Sequence, residues 1–302
     1  MKFNLSKTKK IYLKYLKSQE TKNYKFKNKI EQFEKFYVPL SELIYKRYLK
    51  SKTTTVVGLS GGQGIGKSTI AHILKIIIKE KYNLKITIFS IDDFYKTLAD
   101  RKSMSYRISK LFQTRGVPGT HDVQMLLNCL KKLKKKSFKK ILIPKFDKSI
   151  DNRCKKNKWT KVLTKPHIVI FEGWCVGATA QQNNSLIKPI NRLERHEDKK
   201  MIWRKKTNFE LQSSYKKIFK LIDFLIYLKI PSFNYVYKWR LIQEKKLKKN
   251  TKGKKIMNKL QLKRFIMFYE RITRHMLKTA KTFSDVLVKV DNQHRLKSIE
   301  IN

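Results

Sequence analysis

The sequence of 302 residues has little cysteine and no long apolar run. Its three cysteines, Cys129, Cys154 and Cys175, show neither Cys-x-x-Cys spacing nor a matching histidine pattern. This argues against a disulfide framework or a zinc site and is typical of a reducing compartment. The longest apolar runs, within 76–78 and 221–230, are far shorter than a membrane span. We therefore expect no membrane segment.

The N-terminal region lacks the pattern of a secretory signal. Residues 1–29 are rich in lysine and contain a single acid, Glu20, which leaves organelle targeting open. No arginine occurs before Arg47, however, and this argues against a transit peptide. A cytoplasmic location is the expectation.

Acidic residues are scarce relative to basic ones, at 22 Asp and Glu against 72 Lys and Arg, for a net charge of +50. Such a field attracts phosphate-rich partners, so a nucleic-acid-associated NTPase is one interpretation. The lysines are scattered through every segment together with many asparagines and isoleucines, as AT-rich codons would produce. A dedicated nucleic-acid site usually clusters its charge on one face. We therefore expect the charge to be compositional and nucleic acid not to be a partner.

Glycine is also scarce, yet four of the 10 glycines fall in one stretch. A β-branched run from Thr53 leads into this stretch, and an apolar-periodic helix follows it. The stretch reads Gly61-Gly62-Gln63-Gly64-Ile65-Gly66-Lys67-Ser68-Thr69. Gly-x-x-x-x-Gly-Lys-Ser between a strand and a helix predicts a loop whose backbone N–H groups cradle the phosphates of ATP. Lys67 is expected at the β- and γ-phosphates, and the Ser68 hydroxyl on Mg²⁺.

Further apolar runs alternate with helical patterns. Strands are predicted at 84–90, within 139–149, and at 166–171, 224–230 and 286–290. The alternation predicts an α/β fold of the P-loop NTPase type, with a mostly parallel sheet and helices on both faces. Residues 1–50 are interpreted as a helical N-terminal extension broken at Pro39, and 51–302 as the P-loop domain with a lid and substrate-loop insertions. The lysine-rich run 245–255 is interpreted as a solvated stretch.

Acidic residues stand at the ends of two predicted strands. Asp92 and Asp93 follow strand 84–90, and Glu172 follows strand 166–171. Ligands of an open α/β sheet bind outside the carboxyl ends of its strands. Asp92 is therefore a candidate base, and Glu172 a candidate magnesium ligand beside Ser68.

Two loops could reach the same edge of the sheet. In the loop from 113 to 122, Arg115 and His121 flank a Gly-Val-Pro-Gly turn and could face a ligand. The local pattern equally supports a surface cation followed by a helix cap at Asp122. Lys148 follows the short strand within 139–149.

Six blocks together resemble the plant-type D-glycerate 3-kinases, which are relatives of uridine kinase, pantothenate kinase and phosphoribulokinase. The blocks are Gly-Leu-Ser-Gly-Gly-Gln-Gly-Ile-Gly-Lys-Ser, Phe-Ser-Ile-Asp-Asp-Phe-Tyr, Arg-Gly-Val-Pro-Gly-Thr-His-Asp, Pro-Lys-Phe-Asp-Lys-Ser, Phe-Glu-Gly-Trp and Tyr-Lys-Trp-Arg-Leu-Ile-Gln-Glu. The six blocks occur in the same order along the chain as in those kinases, and the resemblance covers about residues 38–292. It departs at 151–156, where Asp-Asn-Arg-Cys-Lys-Lys replaces a run that contains glycines in those kinases.

The resemblance implies transfer of phosphate from MgATP to D-glycerate. It implies that Asp92 is the base, that Glu172 lies in the magnesium shell and that Arg240 lies on a lid over the phosphates, so that the catalytic set is Asp92, Lys67 and Arg240. A small hydroxy acid also needs a cationic pocket, and the candidates for the substrate site are Asp93, Tyr95, Arg115, His121 and Lys148. The alternative acceptors are a nucleoside, which would stack near Tyr95, and pantothenate.

Overall fold

The protein is described by a computed structural model that covers residues 5–22, 24–51, 53–250 and 257–302, with backbone alone over 243–250. Residues 251–255 of the lysine-rich run lie outside these ranges. None of the described helices is long and apolar enough to cross a membrane.

A six-stranded sheet forms the centre of the molecule. Ten strands occur along the described chain: β1 (Thr55–Gly61), β2 (Ile86–Ser90), β3 (Ile141–Ile143), β4 (Phe146–Asp147), β5 (Asn152–Arg153), β6 (Thr160–Val162), β7 (Ile168–Gly173), β8 (Phe224–Lys229), β9 (Val286–Val290) and β10 (Leu296–Ile301). The central sheet has the order β10-β9-β8-β1-β7-β2. All its pairings are parallel except that of β10 with β9.

Helices cover both faces of this sheet. They are α1 (Leu5–Gln19), α2 (Lys29–Gln32), α3 (Val38–Leu49), α4 (Lys67–Tyr82), α5 (Leu98–Arg107), α6 (Val123–Lys134), α7 (Arg192–Glu197), α8 (Ile202–Glu210), α9 (Lys216–Phe219), α10 (Asn234–Asn250) and α11 (Lys259–Phe283). Side chains alternate along β1: Val57 and Leu59 pack in one core with α1, α3 and α4, and Val56 packs in the other with α6 and α11. The predicted α/β fold with a mostly parallel sheet is confirmed.

The N-terminal helices belong to one of these two cores. Tyr12 and Leu16 of α1 and Ile44 of α3 are fully buried against α4. Gln32 bonds both backbone groups of Leu296, at 2.8 Å to its N–H and 3.0 Å to its carbonyl, and so attaches this layer to β10.

The predicted break at Pro39 is wrong, because the helical backbone continues from Lys29 to Leu49. A π-helical turn over Phe33–Tyr37 precedes α3, and Pro39 falls in the first turn of α3. The hydrogen-bond register changes at this junction, where a missing proline N–H is tolerated.

The predicted strand within 139–149 is not part of the central sheet. The segment forms β3, which pairs with β6, and β4, which pairs with β5 in a hairpin spanning Phe146 to Arg153. This hairpin carries Lys148 at its turn. Strand β10, the antiparallel edge strand, was not predicted.

Gly116 lies where a side chain would collide with a neighbouring residue. Its φ is +143°, and an added Cβ would overlap the hydroxyl of Tyr269. We expect Gly116→Ala to lower the free energy of unfolding by roughly 2–5 kcal/mol, from strain and overlap together, as measured by urea denaturation.

The matched control for that substitution is Gly66→Ala. Gly66 also has positive φ, at +97°, but an added Cβ would meet nothing within 4 Å. It should therefore report the strain alone, about 1–2 kcal/mol. Equal losses in the two variants would contradict the overlap with Tyr269.

Candidate active site

The carboxyl ends of β1, β2 and β7 open into a cleft of about 520 Å³. The phosphate loop lines it with Gln63, Gly64 and residues 66–69. Of the other predicted nucleotide-binding residues, Ile65 is 1% exposed and packs in the core. Gly61 and Gly62 do not line the cleft, and their carbonyls accept hydrogen bonds from Lys67. The loop is thus anchored by one buried side chain and open on the side of the cleft.

Lys67 is held by its own loop. Its ammonium donates hydrogen bonds to the carbonyls of Gly61 at 2.9 Å and Gly62 at 3.1 Å. Burial lowers the pKa of Lys67, while the carboxylates of Glu172 and Asp92 oppose this effect. The phosphate loop thus holds a cation at the cleft, as a site for an anion requires.

Ser68 and Glu172 meet at the end of the phosphate loop. The Ser68 hydroxyl donates to Oε1 of Glu172 at 2.9 Å, and both side chains line the cleft. Glu172 is in β7, next to Leu59 of β1 in the parallel register, which explains why a residue 104 positions away reaches the loop. The two residues predicted to bind magnesium are therefore adjacent.

Asp92 lies in the short 3₁₀ turn after β2 and faces the same cleft. One carboxylate oxygen accepts the Tyr95 hydroxyl at 2.9 Å, and the other accepts the Lys148 ammonium at 2.6 Å. Burial alone would raise the pKa of Asp92, but the charge of Lys148 and these hydrogen bonds hold it well below its usual range. The carboxylate is therefore ionised and oriented.

Asp93 also lines the cleft, but it serves its own turn. Its side chain accepts the backbone N–H of Ser90 at 3.0 Å in a capping box. Burial, together with the nearby Asp92 and Glu172 carboxylates, raises the pKa of Asp93 to about 6. Tyr95 is 2% exposed and does not line the cleft, so it acts on the site through its bond to Asp92.

The structure does not bring Arg115 to the cleft. Its guanidinium forms an ion pair with Asp151 and lies over the ring of Phe146, 5.7 Å from the ring centre. Phe146 itself lines the cleft, whereas Arg115 does not. A carboxylate within the chain pairs the arginine, and a direct contact of Arg115 with the acceptor stays a prediction.

His121 is likewise away from the cleft. It is fully buried, and its Nδ1 is 2.5 Å from the Tyr215 hydroxyl. Its ring stacks on Tyr95 at 4.4 Å, and burial lowers the pKa of His121 to about 3, so it is neutral. Its contact with the site is indirect, since the residue it supports, Tyr95, bonds Asp92.

Lys148 and Arg240 complete the set of charged residues at the cleft. Lys148 reaches in from the β4–β5 hairpin, and Arg240 from the second turn of α10, the element predicted as a lid. The guanidinium of Arg240 lies 5.9 Å from the centre of the Phe265 ring on α11. Cationic side chains from two different elements therefore reach the cleft.

Several residues at the site were not predicted from sequence. Phe146, Trp174 and His72 line the cleft, and Trp174 donates through Nε1 to the Gly116 carbonyl at 3.0 Å. Asp151 was also missed, although it binds both Arg115 and the fully buried Arg101. Phe146 and Trp174 lie within two of the six sequence blocks quoted above. Their position in those blocks, and not their residue type, could have indicated that they belong to the site.

The sequence profile of the Phosphoribulokinase / Uridine kinase family matches residues 56–188. The uncharacterized kinase mug58 of Schizosaccharomyces pombe is 37% identical over 201 residues, which are 64% of this chain and 71% of that protein. The chain belongs to the phosphoribulokinase/uridine kinase family. It is accordingly an ATP-dependent P-loop kinase.

Two further relatives carry a more specific description. The chloroplastic D-glycerate 3-kinase of Arabidopsis thaliana is 29% identical over 198 residues, which are 63% of this chain and 41% of that protein. A solved structure of D-glycerate 3-kinase from Cryptococcus neoformans superposes with a TM-score of 0.72 at 23% identity, over 88% of this chain and 99% of the other. At that identity the superposition shows a shared fold and no more.

Proposed function

We propose that this kinase transfers the γ-phosphoryl group of ATP to a hydroxyl of D-glycerate and forms 3-phosphoglycerate. The observation that carries the proposal is the convergence of Lys67 and an Asp92–Lys148 pair on one cleft. A carboxylate beside an exposed ammonium suits an acceptor that has both a hydroxyl and an acid group.

The chemistry asked of the chain is positioning and charge stabilisation. The acceptor oxygen forms a bond to the γ-phosphorus as the bond from that phosphorus to the β,γ-bridging oxygen breaks, and ADP leaves. Asp92 takes the hydroxyl proton. Lys67 and Arg240 stabilise the negative charge that spreads over the transferred group.

Ser68 and Glu172 are the residues that would hold Mg²⁺. Their oxygens lie 2.9 Å apart, and the described residues contain no cluster of three or more His, Cys, Asp and Glu that could form a full metal site. This suits an ion that binds one or two protein oxygens and otherwise keeps waters and phosphates. Bound with ATP, Mg²⁺ would neutralise charge on the β- and γ-phosphates.

Lys148 is proposed to change partners when the acceptor binds. Asp92 accepts a hydrogen bond from Tyr95 at one oxygen and from Lys148 at the other, so an acceptor hydroxyl would compete with Lys148 for its oxygen. Tyr95 is buried, whereas the Lys148 side chain is 54% exposed, so Lys148 is the partner with room to move. The acid group of glycerate would draw Lys148 away and so expose the base.

A panel of acceptors tests the proposal. Purified protein is assayed for ADP formation with MgATP and D-glycerate, L-glycerate, uridine or pantothenate, and the product is identified by mass spectrometry. D-Glycerate should give the highest kcat/KM, and Lys67→Met should abolish turnover with every acceptor. A higher kcat/KM with uridine or pantothenate would show that this compound, and not glycerate, is the acceptor. ATP hydrolysis stimulated by RNA or DNA would favour the nucleic-acid interpretation.

A further inference from the structure

A second groove, of about 610 Å³, borders the phosphate loop and is not used in the phosphoryl transfer described above. Three separate segments line it. They contribute Tyr24 and Lys25 from the N-terminal layer, Tyr235, Lys238 and Trp239 from α10, and His294 from the turn between β9 and β10. All three segments lie outside residues 56–188, which the family profile matches.

The groove and the cleft share a wall at Gly64. His294 Nε2 lies 3.0 Å from the Gly64 carbonyl, and an added Cβ on Gly64 would lie 2.7 Å from the Cβ of Trp239. Arg240, the residue after Trp239, lines the cleft. A ligand with its phosphates on the loop therefore has the groove directly beside it.

The groove is aromatic and basic. The ring of His294 lies 4.2 Å from that of Trp239, and Tyr24 meets His294 edge-on at 6.1 Å. The ammonium of Lys238 lies over the ring of Tyr235 at 5.0 Å. Aromatic faces beside lysines suit a planar heterocycle that carries negative charge at one end.

Tyr24 is fixed in place by its own segment. Glu20 accepts the backbone N–H of Phe26 at 2.8 Å and pairs with Lys29 at 2.7 Å, closing the turn that carries Tyr24. Burial raises the pKa of Tyr24 to about 12, so its hydroxyl stays neutral at physiological pH. The ring is thus a preformed wall.

We propose that Tyr24 and Lys25 form part of the nucleotide site, where with Trp239 and His294 they hold the nucleoside end of the ATP whose phosphates lie on residues 61–69. The N-terminal layer then contributes to affinity for ATP as well as to the core. This inference depends on the ATP-dependent activity and is independent of which acceptor is phosphorylated.

Calorimetric titration without any acceptor tests the inference. Tyr24→Ala should weaken MgATP binding roughly 5- to 50-fold, the loss expected when one stacking ring is removed. Binding of inorganic tripolyphosphate with Mg²⁺, which engages the phosphate loop but has no nucleoside, should stay within twofold of wild type. Tyr24→Phe keeps the ring and should bind ATP as wild type does.

Two further variants serve as controls for the titration. Tyr106→Ala removes a tyrosine that is 94% exposed on α5 and should change neither ligand. Tyr24→Leu keeps apolar bulk for packing and replaces Tyr24→Ala if the latter unfolds. Equal weakening of ATP and tripolyphosphate, or no weakening of either, overturns the inference. Because glycerate is absent from the titration, a failure of the acceptor assignment leaves this result unchanged.

Discussion

Asp92→Asn should reduce kcat at least about 100-fold, because the amide cannot take the acceptor proton. Asparagine keeps the shape of the side chain and can still accept the Tyr95 hydroxyl through its amide oxygen. The KM for ATP should change little, since Asp92 lies after β2 and is not part of the phosphate loop. Steady-state kinetics over both substrates gives the measurement.

Asp93→Asn is the matched control for that change. Asp93 follows in the same turn and lines the same cleft, but its carboxylate accepts the N–H of Ser90. Loss of the Asp93 carboxylate should lower the free energy of unfolding, with a smaller effect on kcat. If Asp92→Asn folds normally and keeps near-normal kcat, Asp92 is not the base. If the two variants lose kcat equally, the loss comes from a change in the turn and does not identify Asp92 as the base.

Lys148→Met should raise the KM for D-glycerate roughly 10- to 100-fold, the effect of losing one hydrogen bond between charged groups. Methionine keeps the length of the stem and removes the ammonium. The KM for ATP should stay near its wild-type value, because Lys148 donates its hydrogen bond to Asp92, which lies outside the phosphate loop. The ratio of the two KM values is the quantity to measure.

The same variant should change the pH profile of kcat/KM. In the free protein the Lys148 ammonium opposes the effect of burial and lowers the pKa of Asp92. Without it the pKa of Asp92 rises, so the carboxylate is protonated at a higher pH and activity is lost sooner as pH falls. The acidic limb of the profile should therefore move to higher pH.

Lys145→Met serves as the control for Lys148→Met. Lys145 is an exposed lysine three residues earlier, and it does not line the cleft. It should leave both KM values and the acidic limb unchanged. An unshifted acidic limb in Lys148→Met, or parallel rises of the two KM values, would contradict the exchange of partners proposed for Lys148.

Local chemistry made part of the site predictable from sequence. The phosphate loop and the acids after β2 and β7 follow from rules that act within a few residues: glycine where backbone must approach an anion, and polar residues where a buried strand ends. Glu172 and Asp92 then reach the cleft because the parallel register puts both strand ends at one edge. The fold class followed from the same alternation of strands and helices.

Long-range pairing made the rest unpredictable. Nothing near Arg115 indicates that Asp151, 36 positions later, would pair with it, or that its guanidinium would lie over the ring of Phe146. His121 has the residue type of a catalytic group, yet Tyr215, 94 positions away, completes a buried pocket around it. A polar side chain in a loop can face inward or outward, and only the packing of distant segments decides which.

The helical junction at Pro39 and the edge strand β10 illustrate the same limit. A proline is a local breaker only if the residues before it keep an α-helical register, and here a π turn changes that register. β10 begins at Leu296, whose two backbone groups are bonded by Gln32, 264 positions earlier. The sequence around Gln32 does not indicate a contact with Leu296, and the sequence around Leu296 does not indicate one with Gln32.

The position of β7 has a consequence for the size of the acceptor. Because β7 lies between β1 and β2, the phosphate loop and the turn carrying Asp92 are separated by two strand spacings, roughly 10 Å. The backbone hydrogen bonds of β7 with β1 and β2 hold this separation, which would fix the distance between the bound phosphates and Asp92 as the proposed base. Under the proposed mechanism, selectivity for larger or smaller alcohols would depend on the side chains that line the cleft, such as Lys148 on the β4–β5 hairpin, while the strand separation stays constant.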